Sequence, residues 1–341
     1  MQNSSKPIAV LGAGSWGTSL AILLANKGLP VILWDRNHDS VKHMTETRRN
    51  KKYLGNDVVL PINLSITSDF ENTVRQSEIL VLGTPSHTIR EIAGKIKPYL
   101  TENTILVNIA KGIENQTLLT MSGVIKDVIP EIRDNQITAL YGPSHAEEVC
   151  RNLPTTLVAA SKDLVTAKMI QEVFAAPMLR VYSNTDLLGV EIGGSIKNVM
   201  AIATGILDGI GFGDNAKAAL LTRGINEITR MGVALGAKKE TFAGLTGIGD
   251  LIVTCLSKHS RNRFVGEEIG KGKTLEQILS EMVMVAEGVK TTRSTRDLSQ
   301  KLGIEMPITD AVFSVLFENK MPKQAVAELM GRTMKEEEWG S

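Results

Sequence analysis

Apolar positions fall into two regimes along the chain. Up to about residue 184, short runs that are apolar at nearly every position alternate with longer stretches that carry apolar residues on one face only. The runs are Ile8 to Leu11, Val31 to Trp34, Ile79 to Leu82, Thr104 to Ile109, Ile137 to Tyr141, Thr155 to Ala160 and Leu179 to Tyr182. A short run without polar alternation marks a strand covered on both faces, as in a parallel sheet flanked by helices. Helices are expected over the stretch containing Leu20, Leu23 and Leu24, over Ser40 to Lys52, after Pro85 with Ser86 as its cap, over Thr117 to Val128, and between the last two strands. This alternation predicts a Rossmann-like, doubly wound α/β layer that binds its ligand beyond the carboxyl ends of the strands. From Leu187 onward the pattern changes to long helical runs rich in alanine, glycine and methionine, including Ala216 to Leu235, Val285 to Leu302 and a helix after Pro307, before a charged tail at Lys335 to Glu338. The expected architecture is an α/β N-terminal domain over residues 1–185 followed by an all-α domain over residues 186–341.

The first strand leads into a glycine-punctuated turn. Gly12, Gly14 and Gly17 fit G-x-G-x-x-G, followed by a helix that ends at Gly28 and a second strand. In that setting the first glycine permits a tight turn, the second lets backbone approach a pyrophosphate, and the third allows close packing of helix on strand. The free N–H groups of the helix start favour the same anion. After the second strand stand Asp35 and Arg36, which pull in opposite directions: a carboxylate there accepts bonds from ribose hydroxyls, whereas an arginine pairs with a 2′-phosphate. A solvated loop charge pair is the alternative. Tyr53 offers an aromatic edge on the adenosine side.

Composition narrows the classes. The chain has 341 residues, 43% hydrophobic and 22% charged, with 38 basic against 37 acidic residues for a net charge of +1. Nothing in this points to disorder, a nucleic-acid surface or a strongly acidic partner. Cys150 and Cys255 stand too far apart for a C-x-x-C site, and two lone thiols suit a reducing compartment. The opening MQNSSK holds one lysine, and the apolar run after it breaks at Gly12, so neither a signal peptide nor a membrane anchor is expected. No uninterrupted apolar segment reaches the eighteen or so residues that span a bilayer. These features together predict a cytoplasmic protein.

Several loops and helices carry candidate chemistry. Gly83-Thr84-Pro85-Ser86 and Ala110-Lys111-Gly112 lie at strand ends, where Lys111 is placed to bring a cation into the crevice. The strand at Ile137 runs into Gly142-Pro143-Ser144-His145-Ala146, whose amides suit an oxyanion; Ser144 also reads as a helix cap and His145 as a helix-start residue. In GVEIGGSIKNVMAIATGILDG, Lys197, Ala201, Thr204 and Asp208 share one helix face. A lysine among small and apolar residues is costly to desolvate without a partner or a task. Asp208 reads as a solvated end-of-helix residue. Asp250 opens a helix after the glycine-rich GLTGIG, and Ser260-Arg261-Asn262-Arg263 gathers donors suited to phosphate oxygens, or else a basic helix cap. No metal-ligand constellation is present in this reading.

These blocks in this order resemble bacterial-type NAD(P)-dependent glycerol-3-phosphate dehydrogenases: GAGSWGTSLA, the Lys111-Gly112 turn, GPSHAEEV, GGSIKNVMAIATGILDGIGFGDNAK, GLTGIGDL, SRNR, and VAEGVKTT from Val285. The resemblance covers nearly the whole chain. It implies reversible reduction of dihydroxyacetone phosphate to sn-glycerol 3-phosphate with NADH or NADPH, feeding phospholipid synthesis. By matching position it implies cofactor contacts at Ser15, Trp16, Arg36, Lys111, Ala146, Arg261, Val285 and Glu287, with Tyr53 less closely matched. It implies substrate contacts at Lys111, Gly142, Ser144, Lys197, Asp250, Ser260, Arg261 and Asn262, with Lys197 as proton donor and acceptor. A homodimer without membrane insertion or nucleic-acid partner completes the expectation. The β-hydroxyacid dehydrogenases share a two-domain plan, but they place an asparagine four residues after the catalytic lysine, where this chain has Ala201. A catalytically silent nucleotide sensor would leave Lys197 and the Ser260 cluster without evident use.

Overall fold

The computed structural model describes residues 6–282, 285–334, 336 and 337; MQNSS at the start and Lys335 and Glu338 of the charged tail lie outside the described residues. Eight strands form one sheet: β1 (Ile8–Leu11), β2 (Val31–Trp34), β3 (Leu64–Thr67), β4 (Ile79–Leu82), β5 (Ile105–Asn108), β6 (Ile137–Tyr141), β7 (Thr155–Ala160) and β8 (Leu179–Asn184). Their order is β3-β2-β1-β4-β5-β6-β7-β8. Every neighbouring pair is parallel except β6 with β7. That reversal follows from the connection, where only the short helix Ala146–Val149 intervenes, too little for a crossover. Val10, Leu11, Leu80, Val81, Leu106 and Val107 are fully buried, as strands with helices on both faces must be.

Beyond Asn184 the described residues hold helices only, and the helix Leu187–Gly209 forms their axis. Buried along almost its whole length, it is apolar on all sides for that reason. It is also the one helix among the described residues long and apolar enough to cross a membrane, and its apolar stretch is wholly covered by protein. Its start is pinned by Asp186, whose carboxylate accepts the Gly189 N–H at 3.0 Å, the Lys238 N–H at 2.9 Å and the Thr241 hydroxyl at 2.6 Å.

Three expected elements differ, and one strand was not expected. The helix over Ser40 to Lys52 is two helices, His38–Thr47 and Lys51–Leu54. Arg48 breaks it in a left-handed conformation and sends its guanidinium to the carbonyls of Pro61 and Leu64, tying the turn to β3. The strand β3 itself is half polar at LSIT, which hid it from an apolar-run criterion. Ser86 does not cap the helix after Pro85, which opens with a single tight turn and continues as Ile89–Ile96. The helix expected from Thr117 starts at Met121, because Leu118 adopts a positive φ and Thr120 bridges to Ile113.

The central helix packs on helix Arg261–Gly270 at backbone contact distance. A Cβ on Gly205 would stand 2.0 Å from the Arg263 carbonyl oxygen, and one on Gly266 would stand 2.0 Å from that of Ile202. Backbone cannot yield as a flexible side chain does. Gly266→Ala is therefore expected to destabilise the fold by about 1 to 3 kcal/mol or more, the scale of overpacking, outweighing the ~1 kcal/mol that alanine adds in helix propensity. Urea unfolding reads this directly, and a midpoint at or above that of the parent protein would show that the two helices separate at little cost.

Candidate active site

At the carboxyl end of β1 the chain makes the predicted turn. Gly12 has φ +120° and sits against Gly83 of the β4 loop, where a Cβ would lie 2.8 Å from backbone. A Cβ on Gly17 would lie 2.1 Å from the Gly12 carbonyl oxygen, whereas one on Gly14 would meet nothing within 4 Å. The open side thus faces outward at the helix start. Gly14 caps the helix Ser15–Asn26 with no side-chain acceptor and no acidic residue follows in the first turn, so the leading amides, at Ser15, Trp16 and Gly17, are left for an anion. A dinucleotide pyrophosphate fits these features. Asp35 at the end of β2 accepts the Asn37 N–H at 2.9 Å and the Ala13 N–H at 3.2 Å, tying β2 to the glycine turn. Arg36 is exposed beside it, close enough that its charge is felt at His87 and Glu91. Trp16 and Tyr53 are half-buried against the same core, and Ala146 is buried under the Ser15–Asn26 helix with its carbonyl accepting the Ser19 hydroxyl at 3.0 Å.

Across the crevice, one carboxylate organises the charges. Asp250, 1% exposed, accepts the Lys111 ammonium on Oδ2 at 2.7 Å and the Lys197 ammonium on Oδ1. Lys197 also donates to the Thr254 hydroxyl, which lies one turn after Asp250 on the helix Asp250–Leu256. Lys111 reaches over from the end of β5 and donates to the Gly142 carbonyl at 3.2 Å. The neighbours that allow this approach are small: a Cβ on Gly193 would lie 2.5 Å from the Thr246 carbonyl oxygen, and one on Gly194 would lie 2.6 Å from the Tyr141 ring. Thr246 belongs to a π-helical stretch, Leu245–Gly249, that delivers Asp250 to the central helix.

Two ammoniums on one carboxylate leave an excess positive charge in a buried place. Burial pushes the Lys197 pKa down to about 7; the Asp250 carboxylate holds it up and the Lys111 charge lowers it further. Lys197 is thereby poised to exchange a proton near neutral pH, as a general acid or base requires. His145 lies near enough to feel Lys197, and burial holds its pKa below the usual histidine range.

The expected phosphate cluster divides. Arg261 is exposed in the first turn of helix Arg261–Gly270, with no carboxylate partner among the described residues. Ser260 caps that helix by accepting the Arg263 N–H at 3.2 Å and keeps its own O–H to donate. Asn262 accepts the Gly288 N–H at 2.9 Å and donates to Asn198 Oδ1 at 3.0 Å, leaving one amide hydrogen for a ligand. Arg263 belongs to neither: it pairs with Asp208, as does Lys217 at 2.8 Å, so Asp208 is an ion-pair residue and not a solvated helix end. Ser144 is not a helix cap either. His145 holds the N-cap position of Ala146–Val149, and the Ser144 hydroxyl donates to the Gly142 carbonyl at 3.1 Å. Val285 is 40% exposed, while Glu287 opens its helix by accepting both the N–H and the hydroxyl of Ser86.

Sequence reasoning missed Thr254, although its spacing of four from Asp250 on a helix was a usable signal. It also missed Asn198 and Glu191, whose partners are distant in sequence and left no local trace. Family models bear directly on this arrangement. That of the NAD-dependent glycerol-3-phosphate dehydrogenase N-terminus matches residues 7–167, and that of the C-terminus matches residues 186–327. The chain is 55% identical over 335 residues, covering 98% of it and 97% of the relative, to a Salinibacter ruber protein named glycerol-3-phosphate dehydrogenase (NAD(P)+) 2. It is 52% identical to one so named from Chlorobium phaeobacteroides, with 97% and 98% covered. A crystal structure of glycerol-3-phosphate dehydrogenase from Coxiella burnetii superposes with a TM-score of 0.91 at 38% identity, covering 96% of this chain and 99% of that one.

The geometry assigns Asp250 the task of keeping Lys197 charged. Asp250→Asn removes the one influence that raises the lysine's pKa substantially, so Lys197 should titrate below about 7. Carbon-13 NMR of the lysine Cε resonances reads that titration; a midpoint unchanged by the substitution would assign the charge to another group.

Proposed function

The chain belongs to the family of NAD-dependent glycerol-3-phosphate dehydrogenases, and we propose that it reduces dihydroxyacetone phosphate to sn-glycerol 3-phosphate, reversibly, with Lys197 as the proton donor and acceptor. Its cofactors are NAD(H) and NADP(H), the dependence its relatives' names carry. The observation that carries the reading is the Asp250 carboxylate shared by Lys197 and Lys111.

A dinucleotide whose pyrophosphate is held by the glycine turn would supply, from its reduced nicotinamide, a hydride to the substrate carbonyl carbon. The protein's part is to receive the charge that grows on the carbonyl oxygen. The Lys197 ammonium, with Lys111 adding to the local field, stabilises that charge and then gives its proton to the oxygen. In the oxidative direction neutral Lys197 removes the hydroxyl proton. Arg261, with the remaining donors of Ser260 and Asn262, is suited to hold the phosphate at the far end, and the binding energy gained there orients the reacting carbon. Ser144 and the Gly142 carbonyl complete the wall on the α/β side. The same reading divides the chain at residues 185 and 186 and carries the expectation of a cytoplasmic homodimer; light scattering on the purified protein checks the dimer.

Three results test the proposal. Lys197→Ala should keep the fold and the affinity for NADH, because the nucleotide is held by the other half of the chain, while turnover of dihydroxyacetone phosphate falls by about 100- to 10,000-fold, the contribution of a positioned acid. Since reduction needs the ammonium, kcat/KM for reduction should fall about tenfold per unit above about pH 7, and oxidation of glycerol 3-phosphate should rise through the same midpoint. Near-parent turnover in a folded, NADH-binding variant would pass the proton to another group, Lys111 being the nearest candidate. Arg36→Ala should weaken NADPH far more than NADH, since the arginine's ionic contact exists only with the 2′-phosphate. Equal losses in fluorescence titrations of the two cofactors would remove Arg36 from cofactor choice.

A further inference from the structure

The carboxyl ends of β5 and β6 carry two polar side chains that the proposed reaction does not use. Asn108 and Tyr141 are both fully buried, and both spend their hydrogen bonds on the backbone of Ala110 and on each other. Asn108 Oδ1 accepts the Ala110 N–H at 3.1 Å, and its Nδ2 donates to the Ala110 carbonyl at 3.1 Å and to the Tyr141 hydroxyl oxygen at 2.8 Å. The Tyr141 hydroxyl in turn donates to the same Ala110 carbonyl. That carbonyl belongs to the peptide bond leading into Lys111, so the backbone is gripped one residue before the cation. The Lys111 ammonium then lies 5.5 Å from the Tyr141 ring centroid, and the ring edge rests on Gly194, one turn before Lys197. Behind them Glu191, 1% exposed on the central helix, accepts the N–H of Ser122 at 2.8 Å and its hydroxyl.

A buried hydroxyl and amide are costly unless fully satisfied, and satisfied networks fix one geometry. We propose that Asn108 and Tyr141 are positioning residues that clamp the Ala110–Lys111 peptide so that the Lys111 ammonium reaches Asp250 and shares that carboxylate with Lys197. The inference rests on the function proposed above and adds to it a determinant of the proton donor's acidity.

Lys197 is faced by Asp250, Thr254 and Cys255 from one helix, by Lys111 from the β5 loop and by His145 from the β6 loop. Burial pushes the Cys255 thiol up to about 12 and holds His145 below its usual range, so near neutral pH the charged neighbours are Asp250 and Lys111. Of these two, only Lys111 depends on the clamp. With Lys111 in place, one carboxylate oxygen is occupied and a like charge stands nearby, and both effects favour neutral Lys197. When the clamp is loosened, Asp250 is left to Lys197 and the like charge recedes, so the ammonium is held more firmly and titrates at higher pH.

The test is the pH dependence of kcat/KM for dihydroxyacetone phosphate reduction in the wild type, Tyr141→Phe, Lys111→Met and the double variant. The substrate's own phosphate ionisation, near 6, is common to all four and drops out of the comparison. Tyr141→Phe keeps the ring and removes the hydroxyl; it should move the midpoint upward by about half to one unit. Lys111→Met should move it at least as far, and the double variant no further than Lys111→Met alone, because both act through one cation. A merely structural role for Tyr141 would lower the whole curve without moving its midpoint, and that result overturns the inference, as does an unshifted Lys111→Met. Should Tyr141→Phe not fold, Asn108→Ala attacks the same peptide from the other side and carries the same expectation. A wild-type protein that does not reduce dihydroxyacetone phosphate overturns the proposed function, and this inference with it; an active wild type with an unshifted clamp variant overturns the inference alone.

Discussion

A single buried carboxylate holding two ammoniums is the constraint on which the rest of the site depends. An isolated lysine as deeply buried as Lys197 would shed its proton well below neutral pH, and one paired with a carboxylate of its own would keep it too firmly to give it away. Sharing Asp250 with Lys111 sets the balance between these limits and leaves one positive charge in excess. That excess suits an anionic ligand and a reaction in which negative charge develops on oxygen. It also dictates local sequence. The π-helical stretch, Gly193 and Gly194 are needed because the carboxylate and the two cations come from three separate elements and must meet beside a helix with no room for larger side chains.

The rest of the helical part keeps the central helix in register by repeating one device. A carboxylate set deep in one element accepts the unpaired amides at the start of another, where the helix dipole favours negative charge. Glu191 does this for the helix Met121–Val128, and Glu227 for Pro307–Phe317, accepting the Ile308 N–H at 2.6 Å and the Thr309 N–H at 3.2 Å. Burial pushes the Glu227 pKa up to about 7, against the effect of those donors. Asp186 adds a third instance by joining the start of the central helix to the amide of Lys238. The pinned start, the Asp208 ion pairs near the far end and the glycine contacts along its side hold the central helix, and Lys197 with it, against its neighbours.

Much of this was legible in the chain because it is local. The strands of the sheet other than β3, the glycine turn, the change to helices after Asn184 and the isolation of Lys197 among small residues all depend on neighbours within a few positions. What the sequence did not display is where long-range partners override local preference. Ser86 looks like a cap, yet it donates to Glu287, 201 residues away. Asp208 looks solvated, yet Arg263 and Lys217 find it. The break at Arg48 serves a contact with carbonyls more than ten residues away. At the site, residue types announced the chemistry, but the division of labour in Ser260 to Arg263, with one arginine left exposed and the other spent on an ion pair, emerged only once the helix had a partner.

The two halves are joined through contacts that run from the glycine turn to Lys197 without a gap. Gly12 packs on Gly83; three residues on, Ser86 gives its N–H and hydroxyl to Glu287; the next residue, Gly288, gives its N–H to Asn262; and Asn262 gives an amide hydrogen to Asn198, the neighbour of Lys197. Each link is either a backbone contact or a hydrogen bond to a half-buried or buried group, so none is readily exchanged for water. Asn262 is at once a link in this line and one of the groups suited to the substrate phosphate. Its side chain can therefore offer a ligand only the hydrogen that the line leaves free. The orientations of Asn262 and of Asn198, the neighbour of Lys197, are for that reason set by the same bonds, and Glu287, which opens its helix on Ser86, begins the line that holds both.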